Sequence, residues 1–410
     1  MASAGFSHIF RAMRHRNFAI YAWGNLLNHL GTWMQRVTAG WLAWEMTHSA
    51  TWLGLIGLAD LVPIIFIGPL AGAWADRWDR MRTVRISNVF VVLSAAAIYG
   101  LMLAGLLSVE VLFLLLLFQG VCLSVDQPSR LATLPTLIGG PQDLPAALAL
   151  NAMAFNGARF IGPSIAGFVI VHWGIDASFA WTTVFFAIFA VALFFIKAPK
   201  QVFKQSGKRI LAEVVEGMSY TVKHPGIGPI MLTLLITSVL GRPVVSFFPG
   251  FASDVFNRGA DGLAWLTAMT GAGALLGGLY LAQRVEIRGL TRVFVLNIGL
   301  IGAGLIAFCV HDIFWLALPI AALLGGSLMV NGISSQTLIQ NSVEGSVRGR
   351  VVSLYGTVQR GGQALGSLVL GVVADVFGFR WTIAVAGVVC LGFWWWSLRR
   401  TRTIAGTLEV

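Results

Sequence analysis

Long apolar runs, each broken by a short polar stretch, repeat along the whole of this chain. About 20 mostly apolar residues carry a helix across a bilayer. On that measure the runs predict helices over residues 17–41, 51–74, 84–106, 109–128, 147–171 and 177–197. After one longer polar stretch they resume over 227–250, 262–283, 290–310, 313–335, 350–374 and 379–398. The pattern is that of an all-α membrane protein with twelve transmembrane helices.

The break at 198–226 is the only long connection. Within it Ile210, Leu211, Val214, Val215, Met218 and Val222 recur at helical spacing among Lys208, Arg209, Glu213 and Glu216. That spacing predicts a short helix lying on the membrane surface. The chain is thereby divided into an amino-terminal six-helix bundle (1–197), a cytoplasmic linker (198–226), a carboxy-terminal six-helix bundle (227–398) and a cytoplasmic tail (399–410). Most of the 28 Lys and Arg fall in alternate loops, among them Arg77, Arg80, Arg82, Arg130, Lys204, Arg284, Arg348 and Arg399. The positive-inside rule places those loops, and both termini, in the cytoplasm.

Composition agrees. Apolar residues make up 57% and charged residues 11%, too few charges to cover a soluble surface. The net charge of +11 suits anionic lipid beside the short loops rather than nucleic acid. Cys122, Cys309 and Cys390 lie inside apolar runs without CxxC spacing, so neither disulfides nor a metal site are expected. There is no HExxH, GxSxG or phosphate-binding loop. An enzyme and an ATP-driven pump are both disfavoured, and no cofactor is expected.

The two halves read as repeats. A shift of 204 residues places Leu150, Gly157, Gly162, Gly167, Val169 and Gly174 on Leu354, Gly361, Gly366, Gly371, Val373 and Gly378. Shared glycine spacing implies the same close helix packing twice, and two parallel repeats with a site between them is a transporter architecture.

The loop after the second run reads Gly72-Ala-Trp-Ala-Asp76-Arg77-Trp-Asp-Arg80-Met-Arg82. It resembles the signature loop of the major facilitator superfamily, with Asp79 where a second glycine usually stands. Span five carries Ala158-Arg-Phe-Ile-Gly162-Pro163-Ser-Ile-Ala166-Gly167, similar to a packing motif of exporter branches. Further segments are similar to the branch of enterobactin exporters and macrolide efflux pumps: Arg14–Phe18, Gly31–Arg36, Asp126–Arg130, His224–Gly226 and Arg348–Tyr355. The resemblance implies two pseudo-symmetric bundles of the major facilitator fold in a bacterial-type inner membrane. It implies a proton-coupled exporter of small organic molecules, siderophore-like or drug-like, working by alternating access as a single chain. An importer or facilitator of an anionic metabolite, and a non-transporting membrane sensor, are the alternatives. The arginine that many such exporters carry in span four is replaced by Leu116. The resemblance also implies a conformational latch of Gly72, Asp76, Arg77, Arg80 and Asp126 at the cytoplasmic side.

Ionisable and polar groups inside spans are functional candidates because each is costly there. Asn25, Asn28, His29, Thr32, Gln35 and Arg36 recur at steps of three and four on span one. They define a face that either lines a central cavity or ties helices together. Arg36 and Asp60 are expected at similar depth, paired or in one network. Asn156, Arg159, Arg242, Gln359, Arg360 and Gln363 complete the candidate cavity, with Asn331 and Tyr355 as neutral contacts. Arginine forks suit carboxylates, phosphates or phenolates, which points to an acidic or phenolic substrate. His29, Asp60 and Asp126 are the candidate proton carriers.

Overall fold

The computed structural model describes residues 10–59, 61–63, 65–67, 79–197, 218–284, 286–343 and 347–409. The described residues are nearly all helical. The first helices are α1 (Arg16–Thr47), α2 (Ala50–Ala59), α3 (Arg80–Leu103), α4 (Val109–Thr133) and α5 (Leu144–Phe195). The later ones are α6 (Ile227–Ile236), α7 (Ala260–Ala282), α8 (Leu290–Val310), α9 (Phe314–Ser342), α10 (Arg348–Phe377) and α11 (Phe379–Leu408). Eight of the described segments are helical, long and apolar enough to cross a bilayer. One of these, α5, contains both the fifth and the sixth expected spans, turned at Gly174 with φ 86°. Helices α1 and α10 are long enough but more polar, carrying Asn25, His29 and Arg36 in one and Gln359, Arg360 and Gln363 in the other. The second expected span lies partly outside the described residues, as does most of the surface helix expected within 198–226.

Large apolar side chains stand exposed along these helices, including Leu93, Phe118, Phe168, Phe194, Leu276, Val369 and Val388. Exposed apolar side chains in such numbers suit lipid rather than water as the surrounding medium.

The chain divides into two compact units, residues 1–42 with 59–207 and residues 43–58 with 208–410. In the first, Phe18, Tyr21, Met81, Leu134, Phe189 and Leu193 form a buried cluster. Gly162 lets α5 meet α1 there, since a Cβ would come within 2.7 Å of Trp33 Cβ. Helix α3 begins at Asp79, whose carboxylate accepts from the Arg82 backbone N–H at 2.7 Å. The residue that departs from the signature loop therefore serves as an N-cap, a role glycine could not fill with a side chain.

In the second unit a cluster of Ile227, Phe294, Ile298, Leu338, Val351, Ile404 and Leu408 binds the helix ends together. Residues 399–409 pack on this unit rather than trailing as a tail. Helix α11 runs on to Leu408, because Ile404 and Leu408 share one face while Arg399, Arg400 and Arg402 point outward. Glu409 then accepts from the backbone N–H groups of Gly289 (2.7 Å) and Thr291 (2.6 Å), closing the amino end of α8. Helix α2 belongs to this unit. Asp375 accepts from Ser49 Oγ (2.7 Å) and from the N–H groups of Ala50 (2.6 Å) and Thr51 (3.0 Å). That carboxylate sits where the helix dipole favours negative charge.

The glycine repeat has a structural counterpart. Gly366, the partner of Gly162, lets α10 meet the span that begins with α6, where a Cβ would overlap the Val239 carbonyl. Gly174 and Gly378 share one left-handed backbone conformation, φ 86°, ψ 171° and φ 80°, ψ 158°. Residues with a side chain rarely adopt it, so the same turn recurs in both halves.

One span departs from the expected regular helix. After α6 the backbone takes a π turn (Thr237–Gly241), a 3₁₀ segment (Arg242–Phe247), an α turn (Phe248–Gly250) and a second π turn (Phe251–Val255). Pro243 and Pro249 lack the N–H that a regular helix needs and clash with the preceding turn. The span therefore reaches Val255 rather than ending at 250, and its ladder is broken at Arg242.

Candidate functional site

In the first unit the polar stripe of α1 divides. Asn25 (1% exposed), Asn28 and Gln35 are buried, His29 and Thr32 are half-buried, and Arg36 is exposed. Asn25 is the hub. Its Nδ2 donates to Asn151 Oδ1 (2.9 Å) and lies 3.2 Å from His29 Nε2, while its Oδ1 accepts from Arg130 (2.7 Å). Thr32 donates to the Asn28 carbonyl of its own helix. Among the described residues the Gln35 amide nitrogen has no partner. Part of the stripe thus ties helices together, while Arg36 at its far end is exposed.

Arg130 is the centre of this cluster. It is 7% exposed and pairs with Asp126, four residues earlier on the same helix. It also donates to Asn88 Oδ1 at 3.3 Å and stacks over the Phe189 ring at 4.7 Å. Asp126, 1% exposed, accepts in addition from Asn88 Nδ2 at 2.8 Å. Two corrections follow. Arg130 is not a loop charge but part of α4, held inside the unit by its acid, two amides and an aromatic ring. Asp126 does not join Arg80, because Arg130 one turn away and Asn88 on α3 supply everything a buried carboxylate needs. Arg80 instead donates to the Ala132 carbonyl at 3.2 Å, at the end of α4. The other expected latch residues, Gly72, Asp76 and Arg77, lie outside the described residues, as does Asp60, the partner expected for Arg36.

At the far end of the stripe two guanidinium groups flank one ring. Arg36 lies 4.6 Å and Arg159 5.5 Å from the Trp33 centroid. Phe155 meets both Trp33 (6.0 Å) and His29 (5.3 Å) edge-on. Asn156 is exposed and donates to the Ala152 carbonyl of its own helix. Gly162 and Gly167 are buried in the same helix and Pro163 lies between them.

In the second unit Arg242 sits at the break in its span, 7% exposed. Tyr355 donates to the Gly332 carbonyl (2.7 Å) and accepts from Gln359 Nε2 (3.1 Å), and its hydroxyl lies 3.4 Å from Ser335 Oγ. A Cβ on Gly332 would stand 3.0 Å from the Arg242 guanidinium and 3.3 Å from the Gln359 amide. Arg242, Gln359 and Tyr355 therefore gather around Gly332 of α9. Arg360 is exposed and Gln363 half-buried on α10.

Several members of these clusters escaped sequence reasoning. Asn88 is the one side-chain amide of α3, and Asn151 stands five residues before Asn156 on α5, a usable signal. Trp33 and Phe155 read as ordinary apolar residues. Their one clue is that Trp33 falls four residues after His29 and three before Arg36.

The family description "transmembrane secretion effector" matches residues 7–399. The staphyloferrin A transporter of Staphylococcus aureus is 25% identical, over 92% of this chain and 94% of its own length. The macrolide efflux protein A of Streptococcus pyogenes is 21% identical, over 85% and 87%. Among solved structures, a bacterial homologue of the human lysosomal transporter Spinster, inward-facing and unoccupied, aligns with a TM-score of 0.70. That alignment has 15% identity and covers 98% of this chain and 99% of the other. With the family matched over almost its whole length, the chain belongs to the transmembrane secretion effectors of the major facilitator superfamily: it is an integral membrane transporter, not an enzyme.

Proposed function

We propose that this transporter is a proton-coupled exporter of small organic molecules, siderophore-like or drug-like, which opens to the two sides of the membrane in turn. On this reading twelve spans form two six-helix bundles. Both termini lie in the cytoplasm of a bacterial-type inner membrane, a single chain is the working unit, and no cofactor is needed. Efflux and staphyloferrin A transport by relatives support the direction and the substrate range.

The observation that carries the coupling is the Asp126–Arg130 pair. A buried ion pair is strongly destabilised when one partner is neutralised, because the other charge is left without compensation. Protonation of Asp126 would leave Arg130 without a counter-charge, held only by neutral acceptors such as Asn25 and Asn88. These amides belong to α1 and α3, so relief of the stranded charge would move those helices against α4. A proton taken up at one carboxylate thereby becomes a conformational bias. Asp126 and Asp143 are the buried carboxylates among the described residues, and Asp126 alone lies inside a long apolar helix.

Accumulation of a macrolide, of staphyloferrin A and of a cationic dye in cells with and without the protein tests this reading. At least one compound should accumulate less when the protein is present, and an uncoupler should abolish the difference. Export that survives the uncoupler would contradict proton coupling, and equal accumulation of all three would contradict this substrate range.

A further inference from the structure

Arg242 is a buried cation with no anion paired to it among the described residues. Among the described residues, the hydrogen bond of its guanidinium is a contact of NH2 with the Leu328 carbonyl at 3.5 Å, the outer limit for such a bond. Its Nε has no partner. None of the ion pairs among the described residues includes it.

What surrounds it is rich in donors. Leu328, the adjacent pair Asn331 and Gly332, and Ser335 stand on successive turns along one face of α9, the face that meets Arg242 and Tyr355. On that face and the adjoining turn, Asn331 Nδ2, Ser334 Oγ and Ser238 Oγ are buried without partners. The Tyr355 hydroxyl already spends its proton on the Gly332 carbonyl. A guanidinium fork near an unpartnered amide N–H and unpartnered hydroxyls has donors to spare and, among the described residues, no negative charge. The backbone adds to it, since Arg242 sits where a π turn passes into a 3₁₀ segment. Broken helices inside membrane spans frame substrate and ion sites, and π turns cluster at functional sites.

We propose that Arg242, with Gln359 and Asn331 beside it, is an anion-binding subsite of the second unit that takes a carboxylate group of the transported molecule. The guanidinium supplies the paired N–H bonds that a carboxylate matches, and the amides supply neutral donors. The inference rests on the transporter reading and narrows its substrate class to carboxylates.

The test is a binding measurement that needs neither a proton gradient nor flux. Purified full-length protein is heated with benzoate, with benzamide as the uncharged isostere and with inorganic phosphate, and Tm is recorded. Benzoate at millimolar concentration should raise Tm, benzamide should not, and the shift should vanish in Arg242→Met. A phosphate shift equal to that of benzoate would overturn carboxylate preference. A benzoate shift that persists in Arg242→Met, or is absent from wild type, would overturn the site. Gln359→Ala provides a second variant in which benzoate should bind several-fold more weakly. The ligand-free Tm separates binding from scaffolding: Arg242→Met should melt no lower than wild type, because an uncompensated charge is removed, whereas a purely structural arginine would leave a less stable variant. Failure here alongside intact uncoupler-sensitive export would remove the subsite and leave the exporter standing. Benzoate binding without export would do the reverse.

Discussion

Arg130 and Arg242 are both 7% exposed, and each lies within a span. Arg130 has a carboxylate one helical turn away, two amide acceptors and an aromatic face. Among the described residues Arg242 has one long contact to a carbonyl. The helix around the first is regular, and the span around the second is broken by π and 3₁₀ turns. A compensated cation can be part of the scaffold or of a switch that protonation trips. An uncompensated one is costly to keep, and its retention is most simply understood if an anion visits it. The comparison teaches that depth and residue type do not settle what a membrane arginine does; its acceptors do.

The comparison breaks most readily at Asp126. Asp126→Ala should strand Arg130 and lower stability by about 3–5 kcal/mol, the usual cost of breaking a buried pair. Denaturant-dependent unfolding in detergent checks it, and Asp126→Ala with Arg130→Met should recover most of the loss. Arg242→Met should do the opposite, losing transport of a carboxylate substrate while the protein melts at or above the wild-type temperature. Parallel melting and accumulation assays would show whether the two arginines differ in this way. A smaller effect is expected at the end of α10. Asp375→Ala removes the acceptor of the Ala50 and Thr51 N–H groups and should cost about 0.5–2 kcal/mol, as other lost caps do. Faster amide exchange confined to the start of α2 would be its signature.

The smallest effect concerns His224, outside the spans. Its Nδ1 accepts from the N–H groups of Gly226 and Ile227, each at 3.2 Å, at the amino end of α6. Partial burial lowers its pKa below the ordinary histidine value of 6.5. The neutral ring is the capping form, so its contribution is complete above pH 6.5 and fades as pH falls below that. Wild type should lose slightly more stability than His224→Asn between pH 7 and pH 5. Parallel melting curves would contradict this.

The sequence revealed the helices more fully than the site. Period and length locate α3, α4, α7 and α8 to within a few residues, because apolar runs leave little choice. The glycine spacing foretells close packing at Gly162 and Gly366, whereas the paired turns at Gly174 and Gly378 come from the backbone geometry. The ends were harder: Ile404 and Leu408 stand among arginines that masked their shared face. In the site, Arg130 reads as a loop charge because it follows Pro128 at the edge of an apolar run. Only three-dimensional packing brings Asn25, Asn88 and Asp126 around it. Gly241-Arg242-Pro243 did carry a visible signal, a charge set between two helix breakers, but the run around it is apolar enough to read as one regular span.

The most direct measurement is uptake of a macrolide or of staphyloferrin A into everted membrane vesicles acidified inside, comparing wild type with Asp126→Asn. The account predicts uptake by wild type that collapses with the proton gradient, and no gradient-dependent uptake by the variant despite equal protein in the membrane. Gradient-dependent uptake by Asp126→Asn at the wild-type rate would contradict it.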